Sequence, residues 1–331
     1  MSNSAAPANV HVLNDASSKG FLGGSSAKKL LIHGSDALRT NATLLIDEWK
    51  LFDNVVVRVA RERLVIVQEL MRRGLTFPIP DALGVMSLIW QTSGDLEEAE
   101  ATMTGLPEAD KDELEFGQAQ MPIPMIHKEF TLDLRQLRAS RRGSMPLDTT
   151  MAEIASRKVM EKIEAIIFTG LNIAPALGQV YGLLNHPNRI TGNVTAPWLT
   201  ATGDEMVTDL INMTTALNAK NQFGPYMLFV STAVYMQLSK DYKANSDKSI
   251  ISRLLELPNI EGIMPTNRLT GSNILLVQLT SDVIQIIDGI QPTMVEWEER
   301  GGFELNFMIF AILLPRIRAD FLGQSGIAHY S

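Results

Sequence analysis

Two near-identical Pro-Ile-Pro elements, Phe77-Pro78-Ile79-Pro80 and Met121-Pro122-Ile123-Pro124, stand at either end of residues 81–120. Proline fixes its own φ and keeps the residue before it extended, so each element reads as a stiff stem. Between the stems lie an apolar stretch, Val85 to Trp90, and then a strongly acidic one. Asp95, Glu97, Glu98, Glu100, Glu108, Asp110, Asp112, Glu113 and Glu115 stand against Lys111 alone, a net charge of −8. The whole chain also carries −8, so everything outside this stretch sums to zero. The pattern predicts a long two-stranded excursion with an acidic tip. A lone hairpin is marginal in water, so the excursion is expected to lie against a neighbouring subunit.

Before the excursion, residues 1–40 are rich in Ser, Ala, Gly and Asn and lack hydrophobic periodicity. Such a segment cannot offset its ordering entropy by burial, and reads as a flexible terminus or as an arm ordered only against a neighbour. From Leu45 the steps change: Trp49, Phe52, Val56, Val59, Val67 and Leu70 recur at helical spacing. They predict one amphipathic helix ending near Gly74. After the excursion, Lys128–Leu134 reads as a strand, followed by Arg135, Arg138, Arg141 and Arg142. These arginines are a natural counter-charge for the acidic tip of another copy. Thr150-Met-Ala-Glu153 reads as a capping box. It opens a long helix whose apolar face is Leu147, Met151, Ile154, Val159, Ile163 and Ile166, closed by Gly170. Residues 200–290 alternate helices (204–217, 233–242, and one ending at 257) with strands (225–231, 274–279, 283–287) around a polar loop, 241–249. Strands at 291–298 and 303–315 close the chain and could pair with 127–134 around that inserted unit.

The sequence offers little chemistry. Without cysteine there can be no disulfide, thiolate zinc site, iron–sulfur cluster or cysteine nucleophile. No phosphate-binding loop, no GxGxxG after a strand and no GxSxG elbow is present. The five histidines, His11, His33, His127, His186 and His329, lack metal-ligand spacing, so neither a metal nor another cofactor is expected. Glu296, Glu298 and Glu299 could in principle do acid–base work on one strand face; a solvated strand edge beside Arg300 is the preferred reading. The four tryptophans, Trp49, Trp90, Trp198 and Trp297, are too dispersed for a stacking platform and are expected in core or interface. A net acidic chain without aromatic residues interleaved among its arginines argues against a nucleic-acid reader. The longest apolar run, Phe307 to Leu314, is far below the ~18 residues of a membrane span, and the N-terminus lacks a signal-peptide pattern. A soluble intracellular protein that makes or breaks no bonds is expected.

The order of parts resembles the tailed-phage major capsid proteins of the Hong Kong ninety-seven fold, a fold that bacterial encapsulins share. The local likeness to encapsulins lies in Glu129-Phe-Thr-Leu-Asp-Leu134, Ile167-Phe-Thr-Gly170, Gly182-Leu-Leu184, Gly224-Pro-Tyr-Met-Leu228 and the 263–279 strand region. It covers roughly residues 45–330 and lies in the order and spacing of these motifs rather than in any one of them.

The resemblance implies an α+β fold with an N-terminal arm (1–44), an N-terminal helix (45–75) and an extended E-loop (76–127). It further implies a peripheral domain with a long spine helix (128–200 and 290–331) and an axial domain (201–289). The loop with Lys243, Asn245, Asp247 and Lys248 would line an opening on a five-fold or six-fold axis. Some relatives weld subunits through a Lys–Asn isopeptide bond; here the E-loop offers only Lys111, among acids, so that chemistry is not carried over. The implied work is structural: self-assembly in pentamers and hexamers into an icosahedral phage head. The head would enclose double-stranded DNA held by non-specific contact, with scaffold, portal and cement or decoration proteins as partners. It would be built in the host bacterial cytoplasm and involve no membrane. The arm of some forty residues departs from the encapsulin pattern and favours the phage reading. The alternatives are an encapsulin-like compartment around cargo enzymes and, more remotely, a soluble carboxylate-dependent enzyme.

Overall fold

A computed structural model describes residues 46–93, 116–143, 149–173, 176, 178–243, 248–300, 303–319 and 323–331. The predicted N-terminal helix is two: α1 (Ile46–Arg63) and α2 (Val65–Arg72), broken at the buried Leu64. The Gln68 amide compensates by donating to the Arg61 carbonyl at 2.8 Å. Thr76–Pro78 forms β1, and the excursion returns as the antiparallel pair β2 (Ser87–Ser93) and β3 (Phe116–Pro122). Strand β4 (Ile126–Asp133) then runs directly into helix α3 (Leu134–Gly143), which carries the arginines.

The spine helix α4 (Thr150–Thr169) opens without the expected capping box. Its N-cap is Thr149, held at φ −95°, ψ 3° rather than extended, with no side-chain cap bond. Glu153 pairs instead with Arg58 of α1 at 3.2 Å. The apolar face is also rotated from the expected one: Met151 and Ile154 are exposed, while Ala152, Ala155, Val159, Met160, Ile163 and Ile166 are buried. A true capping box opens the later helix α5 (Gly203–Asn218), where Thr202 and Glu205 bond reciprocally.

Two sheets organise the chain. The first has the order β1-β9-β10-β4, with β9 spanning Ile284–Glu299 and β10 Glu304–Ile317. Strand β9 joins two stretches expected to be separate; the break near Gly289–Pro292 is a bulged bend, with register shifts opposite it in β10. Helices α1 and α4 cover this sheet, and Phe52, Phe130 and Phe307 meet beneath them with centroids 5.1–6.3 Å apart.

The second sheet has the order β5-β11-β8-β6-β7, from β5 (Ile190–Gly192), β6 (Tyr226–Ser231), β7 (Ile260–Thr266), β8 (Ile274–Gln278) and β11 (Ile327–Tyr330). Its own core includes Trp198, Leu210, Leu228 and Leu276, under α5 and the short helices α6 (Thr232–Leu238) and α7 (Ile250–Leu255). Strands β5 and β11, which lie in ranges expected to form the peripheral body, are laid on one edge of this second sheet. The buried carboxylate of Asp209 fixes that region, accepting from the Thr195 N–H at 2.9 Å and the Trp198 indole N–H at 2.8 Å. Phe168, at the end of the spine helix, meets Phe229 of the second sheet edge-on at 5.8 Å.

Candidate assembly surfaces

The Pro-Ile-Pro stems work through their isoleucines. Ile79 and Ile123 are buried in the first core, and their amides tie down both feet: Ile79 N–H donates to the Asp288 carbonyl at 3.1 Å and Ile123 N–H to Met86 at 2.9 Å. From these feet β2 and β3 run paired from Ser87 opposite Pro122 to Ser93 opposite Phe116. Apolar side chains around the feet stay in water, with Met86 76% and Ile89 55% exposed, and Leu83, Met125 and Ile173 exposed as well. A shallow groove of about 300 Å³ runs between them. An exposed apolar surface of this kind marks an interaction site.

Sequence reading missed the clamp at the root of the hairpin. Arg316 of β10 is buried between the rings of Phe77 and Trp90, 4.5 Å and 5.1 Å away, and donates to Gln285 at 3.2 Å. Burial, then the charge of Arg318, pushes its pKa down. A cation held over two aromatic faces ties strand β2 to β1, and only the folded register brings the three side chains together. Beside Trp90 lies a cavity of about 340 Å³ bordered by Gln120, Tyr181 and His186. Burial, then Arg189, pushes His186 down to about 4, so this wall is neutral at pH 7.

The predicted site residues fall in three places. The nine acids of the tip, Asp95 to Glu115, lie outside the described residues, as do Asn245 and Asp247. Arg135, Arg138, Arg141 and Arg142 lie on one short helix, α3, where Arg135, Arg138 and Arg142 are exposed. Lys243 and Lys248 sit on the stem of the 241–249 loop, paired with Asp204 and Glu256. Glu296 is not at a solvated edge: it is 5% exposed, opposite Phe307 on the core-bearing face of the sheet. Among the described residues no group of three or more His, Asp or Glu converges as a metal site, and no helix is long and apolar enough to cross a membrane.

Comparison with known proteins places this architecture. Residues 39–330 match the model of a family described as "Family of unknown function (DUF6260)". The chain belongs to that family. This DUF6260 member is similar in sequence to the type 1 encapsulin shell protein EncA of Myxococcus xanthus, 27% identical over 281 residues, covering 82% of this chain and 89% of EncA. In structure it resembles the virus-like particle protein from Pyrococcus furiosus, with TM-score 0.61 and 16% identity over 85% of this chain and 98% of that one. It also resembles the capsid of Myoviridae phage XM1, with TM-score 0.59 and 13% identity over 74% and 85% of the two chains. The DUF6260 chain thus has the α+β capsid fold of the Hong Kong ninety-seven type.

Proposed function

We propose that this chain is a structural shell subunit that assembles with itself into a closed icosahedral particle. The observation that carries the reading is the β2–β3 hairpin: anchored at both feet, paired among the described residues only to itself, and ringed by exposed apolar side chains. Such a surface is incomplete in a single copy. In this reading residues 76–127 are the E-loop that overlaps a neighbour. Residues 128–200 and 290–331 form the peripheral domain and 201–289 the axial domain, except that β5 and β11 extend the axial sheet and the start of β9 belongs to the peripheral one. Many modest contacts, each repeated around the particle, then close the shell.

The particle is proposed to be a phage head around double-stranded DNA. A body that is neutral outside the acidic stretch suits DNA that must enter without sticking. A second reading, an encapsulin-like compartment enclosing cargo enzymes, is supported by the 27% identity to the encapsulin EncA. Negative-stain electron microscopy of the purified full-length chain is expected to show closed shells hundreds of ångströms across on the general scale of such assemblies. Nucleic acid or co-purified protein in the lumen separates the two readings. Only monomers or small oligomers, even after co-expression with the genes that neighbour it, would overturn both.

The exposed arginines of α3 are proposed to contact the acidic tip of a neighbouring copy. The double reversal Arg138→Glu, Arg142→Glu is expected to leave the fold intact and to slow assembly, followed by light scattering, more at low salt than at high salt. Equal slowing at both salts would remove these residues from the interface.

A further inference from the structure

We infer that the stem of the 241–249 loop, whose Tyr242 and Ile250 rest on the second core, is fastened at the surface by a salt-labile clasp of side chains. The stem itself is short: Tyr242 N–H donates to the Lys248 carbonyl at 2.9 Å and Ile250 N–H to Lys240 at 3.0 Å. Beyond the packing of Tyr242 and Ile250, its attachment to the rest of the fold runs through a line of charges. On one side the Tyr242 hydroxyl donates to Asp204 Oδ1, and Lys243 Nζ lies 3.1 Å from Asp204 Oδ2, so both carboxylate oxygens of the first turn of α5 are used. Lys243 also sits 5.3 Å over the Tyr242 ring. On the other side Lys248 pairs with Glu256, and Arg253 Nη1 reaches the same carboxylate at 3.1 Å from within α7. Arg253 in turn lies against the Tyr242 phenol, which makes the tyrosine the hub.

The backbone is shaped for this arrangement. A Cβ at Gly203 would sit 2.8 Å from Tyr242 Cε2 and closer still to Cδ2, so only glycine lets the ring lie on the first turn of α5. Yet the paired groups are well exposed, with Asp204 61% and Lys243 60% accessible. Exposed pairs are screened by salt far more than buried ones. The other charged groups on these elements are Lys240 and Asp241 on the stem and, on α5, Glu205, already occupied in the Thr202 capping box, and Asp209, buried and bonded to Thr195 and Trp198.

The direction of pH dependence follows from the same contacts. Tyr242, then Lys243, holds Asp204 below the usual carboxylate range, and Lys248, then Arg253, does the same for Glu256. Both contributions are present above the ordinary carboxylate pKa values and are lost as pH falls through the lower folded ones. Asp204 holds Tyr242 and Lys243 above their ordinary values, so their contributions persist at neutral pH and are lost only as pH rises through those raised values. The clasp is therefore closed across the neutral range, where salt rather than protons releases it.

The clasp lies within one chain, and only its consequence for a particle, altered contacts of the released loop with neighbouring copies, rests on the shell reading. Hydrogen exchange of the full-length chain, followed by mass spectrometry, tests it. The peptide covering 240–250 is expected to exchange on the order of tenfold faster in 1 M than in 50 mM NaCl, because screening shortens the reach of each charge. Peptides from β6 and β8 should stay protected, and the double variant Asp204→Asn, Glu256→Gln should exchange fast at both salts. Gly203→Ala, which displaces the Tyr242 ring without changing charge, should also exchange fast and lose its salt response. Salt-independent exchange of the wild-type peptide, or wild-type protection in the double variant, would overturn the clasp. Either result leaves the shell reading untouched, since microscopy tests that separately.

Discussion

Gly182→Ala is expected to abolish soluble folding. A Cβ at this position would fall on the Gly170 nitrogen and 2.6 Å from both the carbonyl carbon and the oxygen of Phe168, all of them backbone atoms that cannot swing away. The crowding has a structural purpose. Leu183 N–H donates to the Ile167 carbonyl at 2.9 Å and Leu184 N–H to Phe168 at 2.8 Å, stitching the 182–184 segment onto the last turn of the spine helix. Asn185 completes the seam, accepting from Gly182 N–H at 2.6 Å and donating to the Thr169 carbonyl at 2.7 Å. One methyl group must pry this seam apart. Overpacking costs about 1–3 kcal/mol, and each buried hydrogen bond left unmade adds about 1–3 more. Against a total stability of about 5–15 kcal/mol, that is a large fraction.

Gly74→Ala is the contrasting control. Gly74 has positive φ, 73°, which Gly182 does not, but an added Cβ at Gly74 meets nothing within 4 Å. It should cost only the left-handed backbone term, roughly 1 kcal/mol. Soluble yield and urea midpoint distinguish the two variants. A midpoint for Gly182→Ala equal to that of Gly74→Ala would show that the seam is loose.

Gly170 and Gly182 were legible in the sequence as motif positions, and the structure gives them a cause: each permits the other segment to approach. Local signals with one dominant physical origin read well. The Pro-Ile-Pro stems, the buried Phe130 and Leu132 of β4 and the helical spacing from Trp49 to Leu70, though not its break at Leu64, follow from proline geometry or from periodicity. What failed depends on partners distant in sequence. The pattern Thr150-x-x-Glu153 satisfies the capping rule, but Arg58, 95 positions earlier in the chain, takes the glutamate. Met151 and Ile154 fit an apolar helix face by spacing, yet the sheet meets the face one step round, at Ala152 and Ala155. Glu296 sits among acids and reads as solvated until β10 places Phe307 opposite it. Arg316 is one arginine in an apolar run, and its two aromatic partners lie more than two hundred residues away.

Removal of residues 94–115 is expected to separate folding from assembly. The deletion lies wholly outside the described residues and keeps every core residue among them. Ser93 and Phe116 stand opposite each other in register, so a two-residue Asn-Gly turn can close the shortened hairpin without shifting either strand. A longer deletion would be less clean, because Ala82 is buried and its Cβ lies close to where Gly289 passes. The short variant should therefore keep its circular dichroism spectrum and its urea midpoint. It also loses the entire formal charge of −8, which resides in this stretch, and its isoelectric point should rise to near neutrality. In the shell reading it should sediment as monomers or small rings and form no closed particles at any salt concentration, since the reach of the hairpin onto a neighbour is gone. A second variant separates reach from charge: full length, with the nine acids replaced by asparagine or glutamine. If complementary charge with the α3 arginines drives assembly, this variant should fail at low salt as the truncation does. If reach and backbone pairing dominate, it should assemble normally and lose the salt dependence of the wild type. Closed particles of ordinary size from the truncated chain would overturn the assignment of this segment to an intersubunit contact. The apolar surface around Met86 and Met125 would then be the first candidate for the interface that closes the shell.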